Sequence, residues 1–154
     1  MRFEGPFVKT KRGNKYLCVL VDHFTRYCSL ILTASTDMDD SARALFEGWI
    51  KHFGLPRAVL HDRGSGFTGN VLQRLFQRLG IKDLQTTAYH PQTNGRVERV
   101  NRVINAALTH MVNSKQTDWD TWSSDLEFSL RTVPHTATGR SSMELMWLCP
   151  ETTY

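Results

Sequence analysis

The sequence predicts an α/β domain built on a mixed sheet with helices on both faces. Three observations carry this. Residues 16–21, YLCVLV, are a continuous apolar run with β-branched members, the pattern of a buried strand. Ala42, Leu45, Phe46, Trp49, Ile50 and Phe53 follow the i, i+3, i+4, i+7 spacing of one buried helix face. Strands come first, then a helix, then a further strand flanked by helices, an order that layers helices on a sheet.

Residues 3–8 read as the first strand, and Lys11-Arg12-Gly13-Asn14 as the turn that follows. The run at 16–21 is the second strand. A turn at 22–26 returns the chain into a third strand at 27–33, which makes the opening a β-meander. Thr36 or Asp37 caps the next helix, and Asp39 and Asp40 favour its positive end. Gly54 stops that helix and Pro56 follows it. Residues 58–60 form a short apolar strand ending at His61-Asp62. A helix covers 70–79 up to Gly80, and 82–86 is a short strand. Residues 89–95 are rich in turn formers and read as a loop. A long helix then spans 96–112, with Val97, Val100, Ile104, Ala107, Leu108 and Met111 as its core stripe. A helix at 119–132 ends near Pro134, and 141–148 is a last short helix.

The 154 residues suffice for one domain with a real core. Hydrophobic and charged fractions of 40% and 22% are ordinary for a globular chain. No apolar run approaches the roughly 18 residues of a membrane span, and no signal peptide opens the chain, so no membrane role is expected. Cys18, Cys28 and Cys149 form no CxxC pair, which speaks against a zinc finger. Cys18 and Cys28 lie in strand-like apolar runs and read as small buried hydrophobes in a reducing compartment. The net charge of +4 permits a nucleic-acid partner without establishing one.

Two segments carry chemistry. In His61-Asp62-Arg63-Gly64-Ser65-Gly66-Phe67-Thr68 an Asp ends an apolar strand before a Gly-rich turn, at the sheet edge where sites of open α/β sheets gather. The other runs from the 89–95 loop into Val97-Glu98-Arg99-Val100-Asn101, where Glu98 lies opposite the apolar stripe. Asp62 and Glu98 enclose residues 63–97, a span of 35. Carboxylates suit hard divalent ions, and two such ions can stabilise the attacking and leaving oxygens of a phosphodiester displacement. Taken alone, an Asp before a Gly turn is as a rule a turn former, and a Glu in a first helical turn serves the dipole.

The surrounding residues change that balance. DRGSGFT followed by TAYHPQTNGRVERVN resembles the integrases of gypsy-type LTR retrotransposons, whose pattern is close to SDRGxxFT and then YHPQTDGQVERVNR. GNKY before the second strand, VDHFTRY after it, FGLP at 53–56 and PHTATGRS at 134–141 extend the resemblance over nearly the whole chain. It implies an RNase H-like fold with a mixed five-stranded sheet, a D,D-35-E triad, Mg²⁺ or Mn²⁺, DNA as substrate and action in the nucleus. Asp62 matches the second Asp and Glu98 the Glu, as catalytic and metal-binding residues. His90, Gln92, Asn94, Asn101, Arg102 and Asn105 match the loop and helix face that approach DNA; the last three otherwise read as solvated surface. The chain corresponds to the core alone, 1–154, without the family's zinc-binding and carboxy-terminal DNA-binding domains.

The pattern breaks at its first carboxylate. The family's first Asp stands three residues before a Gly-Pro; three before Gly5 is Arg2, which cannot coordinate a metal and repels one. Glu4 points to the same side of the strand but about 6.6 Å further along. Asp22 matches a separate family Asp and reads as structural. Leu130-Arg131 and Ser142-Met143 also depart from the family's Tyr-Asn and Pro-Phe. The expectation is therefore an integrase core impaired in catalysis, or a domesticated module that binds DNA or protein without turnover. A ribonuclease H-type nuclease is disfavoured by the family-specific loop. Homodimerisation and a host chromatin partner fit the family, and Trp119, Trp122 and Phe128 are either a dimer contact or ordinary core.

Overall fold

A computed structural model describes residues 1–62, 64, 67, 70–85, 91–136 and 138–148, with the backbone alone for 70, 71, 91–98 and 148. Strands β1 (Arg2–Glu4), β2 (Tyr16–Val21) and β3 (Cys28–Thr33) form an antiparallel ladder in that order. Strands β4 (Ala58–His61) and β5 (Lys82–Gln85) pair in parallel. The Met1 nitrogen donates to the Leu60 carbonyl at 2.7 Å and joins β1 to β4. The chain is thus mixed α/β as expected; among the described residues the five strands form two ladders, one of three and one of two, where a single five-stranded sheet is expected.

Strand β2 organises the core because both of its faces are covered. Cys18 and Leu20 point into a cluster with Ala44, Leu45, Val59, Leu72 and Phe76. Leu17 and Val19 point the other way, into a cluster with Leu30, Ile104, Leu108, Trp119 and Leu126. Side chains of a strand alternate between faces, so a strand covered on both sides must be apolar at every step. That is why YLCVLV lacks polar alternation.

Helix α1 (Met38–Leu45) begins at Asp37, whose side chain accepts from the Asp40 N–H, and continues through a π-helical turn (Phe46–Ile50) into α2 (Lys51–Phe53). The π turn adds a residue to one turn and rotates the register. Phe46, expected in the buried face, is exposed, because the face that packs on the sheet is Ser41, Ala44, Leu45 and Gly48, an i, i+3, i+4, i+7 set that leaves position 46 outside. Helix α3 (Asn70–Leu79) has its expected bounds.

Helix α4 (Pro91–Met111) starts five residues earlier than the sequence suggests, so the expected loop at 91–95 is helical. Pro91 is suited to a first helical position, where its missing N–H is not needed. Residues 119–122 form a 3-10 turn, Trp119–Trp122, before α5 (Ser123–Thr132). Asp120 is held there by Thr10 (2.7 Å) and Asn14 (2.8 Å). Helix α6 (Ser142–Leu148) closes the described chain. Strand β1 is shorter than the expected 3–8, since Gly5 turns at positive φ and Pro6 has no N–H to donate. Tyr27 falls just outside β3, after Arg26 at φ 66°.

The outer edge of β3 is covered by side chains. Glu127 on α5 accepts from the Leu30 N–H at 2.9 Å, and Arg131 donates to the Cys28 carbonyl at 2.7 Å. Arg43 on α1 reaches the Leu32 carbonyl at 3.3 Å. Glu127 and Arg131 pair with each other, and the guanidinium lies 4.3 Å from the Tyr27 ring centroid. Of the aromatic residues considered for a dimer contact, Trp119 is buried and Trp122 packs on the core, whereas Phe128 is exposed. Among the described residues no helix is long and apolar enough to cross a membrane.

Two outcomes follow from this packing. A Cβ on Gly48 would lie 2.4 Å from Leu20 Cδ1 and 2.9 Å from Ile31 Cγ1. Gly48→Ala should therefore destabilise the fold by about 1–3 kcal/mol, read as a lower urea midpoint. Burial pushes the thiols of Cys18 and Cys28 up to about 12. Both should resist iodoacetamide at pH 8 in the native state and react fully in urea, with the labelled positions read by peptide mass spectrometry.

Candidate active site

The carboxyl end of β4 and the start of β1 meet at one rim of the sheet. His61, the last residue of β4, is buried with Nδ1 2.7 Å from the Asp62 carbonyl and Nε2 2.6 Å from Asp83 Oδ1 on β5. Its ring stands 4.9 Å from that of Phe67. These contacts fix the backbone from which Asp62 projects. Asp62 Oδ1 accepts from the Gly64 N–H at 3.0 Å. A Cβ at Gly64 would come 2.9 Å from the same oxygen, so a side chain there would turn the carboxylate away from this position.

Arg2 occupies this rim, as its position before Gly5-Pro6 implies. Its Nε is 3.9 Å from Asp62 Oδ2 and 3.6 Å from Glu4 Oε1. The Arg2 and Asp62 side chains are 38% and 39% exposed, so water screens the pair and its strength is that of a surface contact. Glu4 is more enclosed and ties β1 to α4: Asn105 Nδ2 donates to one of its oxygens at 3.3 Å and Asn101 Nδ2 to the other.

The expected DNA-facing residues divide. Asn101, only 5% exposed, turns inward to Glu4, and its Oδ1 is buried without a hydrogen-bond partner among the described residues. Asn105 is exposed while touching the same carboxylate, and Arg102 is exposed on the outer face. Gln92 and Asn94 belong to the backbone of α4. Position 98 lies one turn before Asn101 on that helix. The side chains of Gln92, Asn94 and Glu98, and all of His90, lie outside the described residues. Asp22 is structural, as the sequence suggests: Oδ2 accepts from the N–H groups of Phe24 (3.0 Å) and Thr25 (2.7 Å). The Glu4–Asn101 contact joins residues 97 apart and leaves no local signal in the sequence.

A divalent ion asks for several convergent oxygen ligands. Among the described residues no group of three His, Cys, Asp or Glu side chains is placed to hold one. Where the first carboxylate is expected, a permanent cation faces Asp62 instead. The described residues of the rim, with Arg2 in the first position, do not by themselves supply a divalent site.

A mixed sheet with helices on both faces, carrying its acidic residues at the rim shared by β1, β4 and α4, defines an RNase H-like domain. Residues 4–91 match the family described as "Integrase core domain". The chain is 33% identical over 118 residues to the retrovirus-related Pol polyprotein from transposon 412 of Drosophila melanogaster, covering 77% of this chain and 10% of that protein. It is 34% identical over 110 residues to the Gag-Pol polyprotein of Gibbon ape leukemia virus, covering 71% and 6%. It therefore spans a tenth or less of these curated relatives. Among solved structures, the simian T-cell lymphotropic virus intasome in complex with PP2A regulatory subunit B56 gamma superposes with a TM-score of 0.79 at 19% identity, over 99% of this chain and 55% of that one. The HTLV-2 integrase catalytic core domain in complex with magnesium, in a trimeric form, gives 0.70 at 18% identity, over 93% and 92%. The chain belongs to the integrase core domain family, among the Pol proteins of retroviruses and retrotransposons.

Removing the Glu4 carboxylate should leave the Asn101 amide buried with neither end satisfied. Glu4→Ala is expected to cost about 1–3 kcal/mol by urea unfolding. Glu4→Gln, which keeps an acceptor, should cost clearly less. Equal losses in both variants would show that the charge of Glu4, and not its acceptor oxygens, holds α4.

Proposed function

We propose that this chain is a retrotransposon-type integrase core, of the gypsy kind, whose metal-dependent phosphoryl transfer on DNA ends is impaired by Arg2. The observation that carries this reading is the Arg2 guanidinium 3.9 Å from Asp62. An arginine stays protonated and offers no lone pair, so the position contributes no ligand and opposes a bound cation. Asp62 and Glu98 are the remaining members of the triad. DNA is the partner, approached by the outer face of α4 through Arg102 and by the segment around His90, Gln92 and Asn94. Asn101 and Asn105 act indirectly, by holding α4 against β1. Exposed Phe128 on α5 supplies an apolar contact for a homodimer. The same Arg2 favours a second reading, in which the fold is kept as a non-enzymatic module that binds DNA or protein.

A strand-transfer assay on the chain, with and without Arg2→Asp, separates these readings. The unmodified chain should stay at background. Arg2→Asp should raise the rate at least about a hundredfold in Mg²⁺ or Mn²⁺, since a restored ligand is worth several kcal/mol and each 1.36 kcal/mol is tenfold. Adding Glu98→Gln should return the rate to background. Turnover by the unmodified chain would defeat the impaired reading, and an inert Arg2→Asp chain would favour the non-enzymatic module.

A further inference from the structure

Arg2 does more at this rim than displace a ligand. Its Nε faces Glu4 Oε1 at 3.6 Å and Asp62 Oδ2 at 3.9 Å, so one charge addresses two carboxylates, one on β1 and one just after β4. Glu4 in turn gives its two oxygens to Asn101 and Asn105 of α4. Residues i and i+2 of a strand share a face, so Arg2 and Glu4 stand side by side on β1.

We propose that Arg2 is a built-in counter-ion of this rim, taking the place of the divalent ion as the charge that holds β1, β4 and α4 together, so that the site assembles without metal. The proposal rests on the reading above in assigning Arg2 to the first ligand position. Without the guanidinium, Glu4 and Asp62 would face each other as like charges across the junction of the two ladders, which disfavours the folded arrangement. A covalently attached cation differs from a bound one in that neither dilution nor a chelator removes it.

The test is the thermal midpoint of the full chain in EDTA and in millimolar Mg²⁺ or Mn²⁺. The unmodified chain should melt at the same temperature in both. Arg2→Met, which keeps the apolar stem and loses the charge, should melt about 2–4 °C lower in EDTA, the shift of a modest interaction in a domain of this size. Divalent ion should restore most of that loss. Arg2→Lys should keep most of the midpoint in EDTA. If Arg2→Met does not fold in EDTA, refolding in Mn²⁺ supports the counter-ion, and failure in both solutions counts against it. An Arg2→Met midpoint equal to that of the unmodified chain overturns the proposal. So does a loss that no divalent ion relieves, or an unmodified chain that Mg²⁺ stabilises as much as the variant. An inert Arg2→Asp in strand transfer would overturn the catalytic reading and leave these midpoints as they are. Flat midpoints would remove the counter-ion and leave that assay unaffected.

Discussion

Burial of β2 on both faces is the constraint from which the rest of the chain is arranged. Cys18 and Leu20 require a cover on one side and Leu17 and Val19 on the other. Helices α1 and α3 supply the first cover, and α4 and α5 the second. Once α4 is committed to packing Ile104 and Leu108 against Leu17 and Val19, Asn101 and Asn105 of the same helix come to lie against Glu4 of β1. The rim that gathers Arg2, Glu4, Asp62 and Asn101 is thus a consequence of core packing. The polar groups there inherit positions that the apolar ones determine.

Charge at that rim is balanced from within the chain. In this chain a guanidinium on β1 sits between two carboxylates, and a pair of amides on α4 satisfies one of them. A permanent positive charge attracts acidic groups and repels cations, which is the physical basis of both proposals made for Arg2.

Elements governed by local patterns were legible in the sequence. Strand β2 and helix α3 have the bounds expected of an uninterrupted apolar run and of an amphipathic stretch ending at Gly80. Misreadings arose where local signals compete. Thr93-Asn94-Gly95 looks like a turn, yet it lies in α4 because Pro91 can begin a helix and the packing of the later turns carries it. Phe46 fits an apolar 3.6-residue stripe, yet the buried face is centred on Ser41, Ala44, Leu45 and Gly48, where two small residues, Ser and Gly, allow close packing that hydrophobicity alone does not signal. At the rim, the nearness of Arg2 and Asp62 is legible because each sits in a motif with fixed spacing. The inward turn of Asn101 was not, since it depends on a carboxylate near the opposite end of the sequence.

The covering of β3 has a bearing on how this molecule meets its neighbours. The outward groups of Cys28, Leu30 and Leu32 are answered by Arg131, Glu127 and Arg43. An incoming peptide looking for a hydrogen-bonding template along that border would first have to evict two helices' worth of charged side chains, one of them stacked on Tyr27. Protein assemblies that grow by continuing one molecule's pleats into the next are closed to it on this side. A neighbour on this side meets the helix surfaces that carry those side chains before it meets the strand.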